Sequence, residues 1–247
     1  MRYSFDDRNT ISVVSPTQQL AISKFVSRTY GWMVAGLATT GAISWLIATN
    51  EAATQFIMAN SWVFFGALIA EFVVVMGLTM AFNRLSTTAA LLGFGLYSAL
   101  NGVTFSTIFM IYTMSSIAQV FFITAGMFAG LAVFGTVTKK DLTPIGTFFA
   151  MGIWGILIVG LVNMFIRGNA LSLGLSAITV VIFSGLTAWD AQKIRAMAIQ
   201  YSSASGTGSM GDTSEADKGA IFGALTLYLD FINLFLALLR LFGTRRD

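Results

Sequence analysis

Seven long apolar runs divide the sequence, and they constrain the fold more than any other feature. The runs cover residues 30–49, 62–82, 88–112, 117–136, 146–166, 171–197 and 220–242. Each is close to the ~20 residues that a helix needs to cross the hydrocarbon core of a bilayer. Charged residues make up 10% of the chain, against roughly 25% in soluble domains. The sequence therefore predicts a polytopic membrane protein.

The runs indicate helices and not the strands of a barrel. They lack a strict alternation of polar and apolar residues, and they are far longer than the ~10 residues of a transmembrane strand. Both prolines, Pro16 and Pro144, lie outside the runs, so proline breaks none of the spans. We predict an all-α fold, a bundle of seven transmembrane helices.

The residues outside the runs are too few for a separate soluble domain. We divide the chain into a cytoplasmic amino-terminal arm over 1–29, a transmembrane domain over 30–243 and a tail over 244–247. Within the arm, residues 18–28 are predicted to form a short amphipathic helix on the membrane surface. The stretch 202–219 is rich in Ser and Gly, which predicts a flexible cytoplasmic linker between the sixth and seventh spans.

The distribution of Lys and Arg predicts which end of the chain is cytoplasmic. With the amino terminus inside, the inner segments carry ten basic residues: Arg2, Arg8, Lys24, Arg28, Arg84, Lys139, Lys140, Lys193, Arg195 and Lys218. The outer segments carry four: Arg167, Arg240, Arg245 and Arg246. The positive-inside rule therefore favours a cytoplasmic amino terminus and a carboxyl terminus outside. Because the outer cluster lies mostly at the extreme carboxyl end, where the rule is weakest, six spans with both ends inside stay an alternative.

The chain contains no Cys and no His. Their absence excludes disulfides, thiolate nucleophiles, imidazole acids or bases, and zinc or haem sites of the usual kind. The formal charge is +3, and the basic residues lie in short connections and do not form one continuous basic surface. Membrane topology therefore explains them better than nucleic-acid binding does. We expect no cofactor and no nucleic-acid partner, and the lipid bilayer is the expected surrounding.

Three acidic residues lie inside the apolar runs: Glu71, Asp190 and Asp230. A charge at such depth costs on the order of 3 kcal/mol unless it is protonated, paired or hydrated, so each is a candidate functional residue. Glu71 and Asp230 lie near mid-membrane. Asp190 lies at the cytoplasmic edge if the sixth helix ends there, or about 10 Å inside if the helix continues to Met197. Only the second arrangement brings it near Asp230.

Two carboxylates in contact inside a low dielectric would share a proton and titrate as a coupled pair. Asp190 and Asp230 are therefore a candidate pH sensor that needs no histidine. Once deprotonated, the pair would offer the hard oxygen ligands that Ca²⁺ prefers, with Glu71 as a possible addition. The structural alternatives are a helix-to-helix hydrogen bond for Asp230, an interfacial anchor for Asp190 and a protonated, hydrogen-bonded acid for Glu71.

The segment around Asp230 resembles a family signature. It reads GALTLYLDFINLF over 223–235 and LLRLFG over 238–243. Supporting motifs are YGWM, LYSALNG, TKKDL and GLTAWDAQK, which begin at Tyr30, Leu96, Thr138 and Gly185. These segments resemble the Bax inhibitor-1 family, also called the transmembrane Bax inhibitor motif family, and in particular its bacterial inner-membrane members. The resemblance covers nearly all of the chain beyond the amino-terminal arm.

The resemblance implies a seven-helix bundle in which the last helix is surrounded by the other six. It implies a pH-sensitive, calcium-permeable leak channel that is controlled by a pair of aspartates, which are Asp190 and Asp230 here. Ca²⁺ would be the permeant ion, with a possible transient contact to the two aspartates. It further implies an ion path that includes Glu71 and a basic latch, for which Arg84 is the only local candidate.

Two other functions are alternatives. Some bacterial members of the family are associated with a membrane-bound AAA protease, so the chain could be a non-catalytic regulator of such a partner. A remote alternative is an intramembrane aspartyl protease, which also has two Asp on helices six and seven sharing a proton. Such proteases carry a Gly-x-Gly-Asp pattern and a Pro-Ala-Leu motif. Here Asp230 follows Leu-Tyr-Leu, and no proline occurs after Pro144. We therefore expect a protein that is not an enzyme.

Overall fold

The computed structural model describes residues 15–166, 168–204 and 214–246. These residues form α-helices joined by short connections, and none of them lies in a β-strand. The helices are α1 (Pro16–Thr49), α2 (Glu51–Ala59), α3 (Ser61–Met80), α4 (Thr87–Phe105), α5 (Ile108–Ile111), α6 (Met114–Val137), α7 (Thr143–Ile166), α8 (Asn169–Ala204) and α9 (Ser214–Phe242). Residues 1–14 of the predicted arm, which include Arg2 and Arg8, lie outside the described ranges, as do Arg167 and the linker residues 205–213.

The seven predicted membrane crossings are confirmed. Within the described ranges, seven segments are long and apolar enough to cross a bilayer: α1, α3, α4 with α5, α6, α7, α8 and α9. The helices α1, α8 and α9 contain 34, 36 and 29 residues. At 1.5 Å per residue they extend about 51, 54 and 44 Å, so they project beyond a hydrocarbon core of about 30 Å.

The start of α1 is set by a capping box at Ser15. The Gln18 backbone N–H donates to Ser15 Oγ at 3.2 Å, and the Ser15 N–H donates to Gln18 Oε1 at 3.0 Å. Pro16 occupies the first helical position, where its missing N–H costs nothing. From there α1 continues without interruption into the first span.

Residues 18–28 are helical, but the prediction of a separate helix on the membrane surface is wrong. They form the first turns of α1 and pack on the bundle. Phe25 is buried, and its ring centroid lies 5.6 Å from that of Tyr201 in α8. Arg28 forms an ion pair with Asp217 in α9. Contacts with these two helices, which also project beyond the core, replace the expected contact with lipid headgroups.

The carboxyl-terminal helix α9 is the centre of the bundle, as predicted. In its apolar stretch 72% of the residues are buried, against 6% in α7 and 11% in α3. Small residues such as Ala220 and Ala224, both fully buried, let neighbouring helices approach closely. The helix packs against α1, α4, α6 and α8, whereas α3 packs on α4 and α7 packs on α8. It therefore has four immediate neighbours and not the six that the resemblance implied.

The two ends of α9 lie at opposite ends of the bundle. Its start is next to the start of α1 through the Arg28–Asp217 ion pair. The tail that follows α9 forms hydrogen bonds with the end of α5 and with the connection after it. Arg246 N donates to Ile111 O at 2.9 Å, and Thr113 N donates to the Thr244 carbonyl at 3.1 Å. This arrangement agrees with seven crossings and not with the six-span alternative.

Asp141, in the connection between α6 and α7, stabilises the start of α7. Hydrogen bonds from the hydroxyl and then the backbone N–H of Thr143, the latter at 2.9 Å, hold the pKa of Asp141 below its ordinary value. A lowered folded-state pKa gives stabilisation that is complete above the unfolded pKa of about 4 and is lost as the pH falls through the folded value. We expect Asp141→Ala to lower the thermal midpoint slightly at pH 7 and hardly at all below about pH 3. Circular dichroism melts in detergent measure this, and an equal difference at both pH values would contradict it.

Candidate functional site

Asp190 lies inside α8 and not at its end. The helix continues past Asp190 to Ala204. The following turn is held by the end of α6 and the connection after it: Gln192 Nε2 donates to the Lys140 carbonyl at 2.8 Å, and Arg195 Nη1 donates to the Thr136 carbonyl in the last turn of α6 at 2.6 Å. The interpretation in which the sixth helix ends at Asp190 is therefore wrong, and the helix continues past Met197, as the second arrangement requires.

The structure brings Asp190 and Asp230 together. Helices α8 and α9 pack along much of their lengths, and the side chains of Asp190 and Asp230 lie close enough across them for the two carboxyl groups to interact. Asp190 is 6% exposed and Asp230 is 4% exposed. Among the described residues, Asp230 Oδ2 is buried without a hydrogen-bond partner. This oxygen is where a proton or a cation could be accommodated, because a buried carboxylate oxygen left without a donor is costly.

A third residue, Lys193, completes the site. Its Nζ lies 3.1 Å from Asp190 Oδ1 and 4.4 Å from the ring centroid of Trp189. The Lys193 side chain is 50% exposed, so the ammonium connects the buried pair with the surroundings of the bundle. The sequence analysis counted this lysine only among the basic residues of the inner segments. The available signal was its i,i+3 spacing from Asp190, which places both side chains on one helix face.

Glu71 does not join the aspartate pair. It lies on α3, where Thr104 Oγ1 of α4 donates to Glu71 Oε1 at 2.8 Å. Helix α3 packs on α4, and the Glu71 carboxylate lies near Tyr97 of α4 and Tyr228 of α9. The structure therefore divides the three intramembrane acids between two places.

Tyr228 forms a second polar cluster on α9 that the sequence analysis missed. Its side chain is fully buried, and its hydroxyl lies 2.7 Å from Thr40 Oγ1 of α1. The Thr40 hydroxyl also lies 2.8 Å from the Ser98 carbonyl of α4. Tyr228 precedes Asp230 by two residues, or about 200° around the helix, so the two polar groups lie on opposite sides of α9. A tyrosine in an apolar run was the signal, because a buried hydroxyl usually has a hydrogen-bond partner.

A resident metal centre has no support in the described parts of the chain. No group of three or more Asp, Glu, Cys or His side chains there lies close enough to hold a metal ion. The aspartate pair offers two carboxylates, whereas Ca²⁺ usually takes 6–8 oxygen ligands. The arrangement can exchange protons and contact a cation briefly with the help of water or backbone oxygens.

Comparison with known proteins identifies the family. The family model described as "Inhibitor of apoptosis-promoting Bax1" matches residues 22–247. The chain belongs to the Bax inhibitor-1 family. It is 40% identical over 235 residues to inner membrane protein YbhL of Escherichia coli (strain K12), which covers 95% of this chain and 97% of that protein. The sequence-based resemblance to the family is thereby confirmed.

Two further similar proteins come from other groups of bacteria than Escherichia coli. An uncharacterized protein of Borreliella burgdorferi is 41% identical over 238 residues, covering 96% of this chain and 99% of its own. An uncharacterized membrane protein of Streptococcus pyogenes serotype M1 is 32% identical over 233 residues, covering 94% and 97%. Because both relatives are matched along nearly their whole lengths, the similarity extends over the entire bundle.

In this member of the Bax inhibitor-1 family, Arg84 is not placed as a latch. It is exposed in the single turn Phe82–Arg84, which joins α3 to α4. It forms no ion pair with any carboxylate of the described residues. The turn is held by Phe82, whose ring centroid lies 4.6 Å from that of Phe222 at the start of α9. The cation that contacts the aspartate pair is Lys193, from the same helix as Asp190.

Proposed function

We propose that this protein is a pH-sensitive, calcium-permeable leak channel that is gated by Asp190 and Asp230. The single observation that carries the proposal is the contact between the two carboxyl groups, one on α8 and one on the central helix α9. A group that changes charge at this contact acts directly on the packing of the helix around which the bundle is built.

The proposed gate follows from the repulsion of like charges. Two carboxylates about 4 Å apart repel by about 4 kcal/mol at an effective dielectric constant of ~20, so a shared proton keeps the contact together. Lys193 balances the one negative charge that remains. When the pH rises and the shared proton leaves, α8 and α9 separate and a cation path opens along α9.

Calcium enters this scheme as the permeant ion. The deprotonated pair provides two hard oxygen ligands, which suit a brief contact better than tight binding. Glu71, on the other side of α9, is a second acidic position along the proposed path. Its carboxylate is held by Thr104 and lies near the Tyr97 and Tyr228 hydroxyl-bearing rings.

We also propose a location and an orientation. The Escherichia coli relative is named an inner membrane protein, and this supports a bacterial inner membrane for this chain. The excess of Lys and Arg on the segments that share a side with the start of α1 supports a cytoplasmic amino terminus. With seven crossings, the carboxyl terminus then lies outside.

The test is Ca²⁺ flux into liposomes that contain the purified protein, measured with an enclosed Ca²⁺ indicator between pH 5 and pH 8. Flux through the unchanged protein should fall as the pH is lowered. Asp230→Asn and Asp190→Asn should each leave a single carboxylate with no like charge to repel it, and so reduce flux at pH 8 by about tenfold or more, since a loss of ~1.4 kcal/mol of repulsion corresponds to a factor of ten.

Asp141→Asn is the matched control, because it makes the same chemical change at an exposed site outside the spans. It should leave the flux and its pH dependence unchanged. If both paired variants behave like this control, the aspartate pair is not the gate.

Addition of a synthetic membrane peptide to the same samples should produce no cleavage, since we propose that the protein is not an enzyme. Cleavage that Asp230→Asn abolishes would point instead to an aspartyl protease.

A further inference from the structure

A deep groove opens on the outside of the bundle between α1 and α6. Its volume is about 820 Å³, and it is lined by residues of these two helices and by Phe231 of α9. Within the described residues, α1 and α6 share no extended contact, so the groove is a gap in the ring of helices around α9. Tyr30 and Thr136 are the polar lining residues that the groove contains, and the other lining residues are apolar.

The dimensions of the groove suit a lipid chain. From Tyr30 to Ala42, two of its lining residues, the α1 wall extends about 18 Å, close to half of a hydrocarbon core of about 30 Å. A helix of this length and ~10 Å across fills roughly 1,400 Å³, considerably more than the groove offers. Small residues such as Ala38 and Ala129 leave room for a methylene chain along the walls.

Positive charge gathers at one end of the groove. Tyr30 and Thr136 lie there among the lining residues, and the Thr136 carbonyl accepts from Arg195 Nη1 at 2.6 Å. Arg195 is exposed and uses one of its five N–H donors in this bond. Lys139 and Lys140 follow in the adjacent connection, where Asp141 is engaged with Thr143. This end therefore carries a net positive charge beside a narrow apolar groove.

We propose that the groove binds one acyl chain of an anionic phospholipid from the bilayer, with the phosphate of the lipid at Arg195 and Lys139. The chain lies between α1 and α6 and reaches the central helix at Phe231. The apolar groove selects a chain of one leaflet, and the basic end selects a negatively charged headgroup over a zwitterionic one. The binding site is independent of whether the protein conducts calcium.

The test is native mass spectrometry of the full-length protein in detergent with equal amounts of phosphatidylglycerol and phosphatidylcholine. The unchanged protein should retain one phosphatidylglycerol in preference to phosphatidylcholine, about fivefold for each basic residue that contacts the headgroup. Arg195→Gln should reduce that preference about fivefold while a lipid is still retained. Ala129→Phe fills the groove and should remove the retained lipid.

Two further variants make the outcome specific. Gly130→Phe places the same ring on the next residue of α6, which does not line the groove, and should retain phosphatidylglycerol. Ala38→Phe fills the groove from α1 and replaces Ala129→Phe if that variant does not fold. Equal retention of both lipids, or retention that neither filling variant reduces, overturns the proposal. A lipid-free dimer that Ala129→Phe dissociates also overturns it and assigns the groove to a second copy of the chain.

Discussion

Replacement of Gly135 by alanine is expected to destabilise the bundle by about 3 kcal/mol or more, at the upper end of the range for overpacked sites. Gly135, on α6, lies directly against the backbone of α8. A Cβ at this position would overlap the Ala188 carbonyl oxygen and lie 2.7 Å from its carbon and 2.9 Å from its Cα. Because the obstacle is backbone and not a flexible side chain, the whole of α8 must move away from α6. Thermal and urea unfolding in detergent measure the loss.

Gly126→Ala and Gly130→Ala are the matched controls for this prediction. Both glycines lie on α6, and a Cβ at either position meets nothing within 4 Å. In a helix interior, alanine should be more favourable than glycine by about 0.5–1 kcal/mol, so these variants should be as stable as the unchanged protein or more stable. If Gly135→Ala unfolds at the same temperature and urea concentration as these two variants, α6 and α8 are not packed as closely as described. Because Ala188 is two residues from Asp190, Gly135→Ala should also disturb the aspartate pair.

Lys193→Met is expected to move the pH at which Ca²⁺ flux is half-maximal upward by about one pH unit. The lysine ammonium lies 3.1 Å from Asp190 Oδ1 and favours the negatively charged pair. Without it, the loss of the shared proton leaves charge that nothing balances, so the contact stays closed to a higher pH. Opposite charges at this distance shift a titration by about 1–3 units, and we take the low end because the lysine is half-exposed to solvent. The liposome flux assay between pH 5 and pH 9 measures the change.

Lys193→Arg keeps the positive charge and should leave the half-maximal pH nearly unchanged. The double variant Asp190→Asn with Lys193→Met should have the flat profile of Asp190→Asn alone, because the lysine acts through that carboxylate. A shift of the same size in the Asp190→Asn background would show that Lys193 acts on the channel in another way. An unchanged profile in Lys193→Met would remove the lysine from the site.

The position of Asp190 shows where prediction from sequence ends. The residues after it, Gln192, Lys193 and Arg195, are typical of a helix end at a membrane surface, and they are equally compatible with a helix that continues. The structure decides between these interpretations because the last turn of α6 supplies a carbonyl acceptor for Arg195, and the connection after α6 supplies one for Gln192. Such partners are distant in sequence, so no local pattern reports them.

The acidic residue Glu71 shows a second limit. Depth along a helix follows from counting residues, and Glu71 was placed near mid-membrane in this way. The direction in which its side chain points depends on the rotation of α3 against α4, which directs it to Thr104 and away from the aspartate pair. For the same reason Tyr228 and Asp230, close in sequence and in depth, belong to different clusters on opposite sides of α9.

The sequence by itself determined the number and the order of the membrane-spanning helices, because the transfer of about 20 apolar residues from water to lipid is a local property of each run. It also determined the family, through the motif around Asp230 and the segments that accompany it. The family resemblance implied that the last helix is central, but the apolar runs alone did not, since lipid and protein interior are almost equally apolar. The tertiary structure shows that packing of small residues, rather than hydrophobicity, separates α9 from α7. Likewise, only the packing of α8 on α9 decided that Asp190 meets Asp230 and that Lys193, and not Arg84, is the cation beside them.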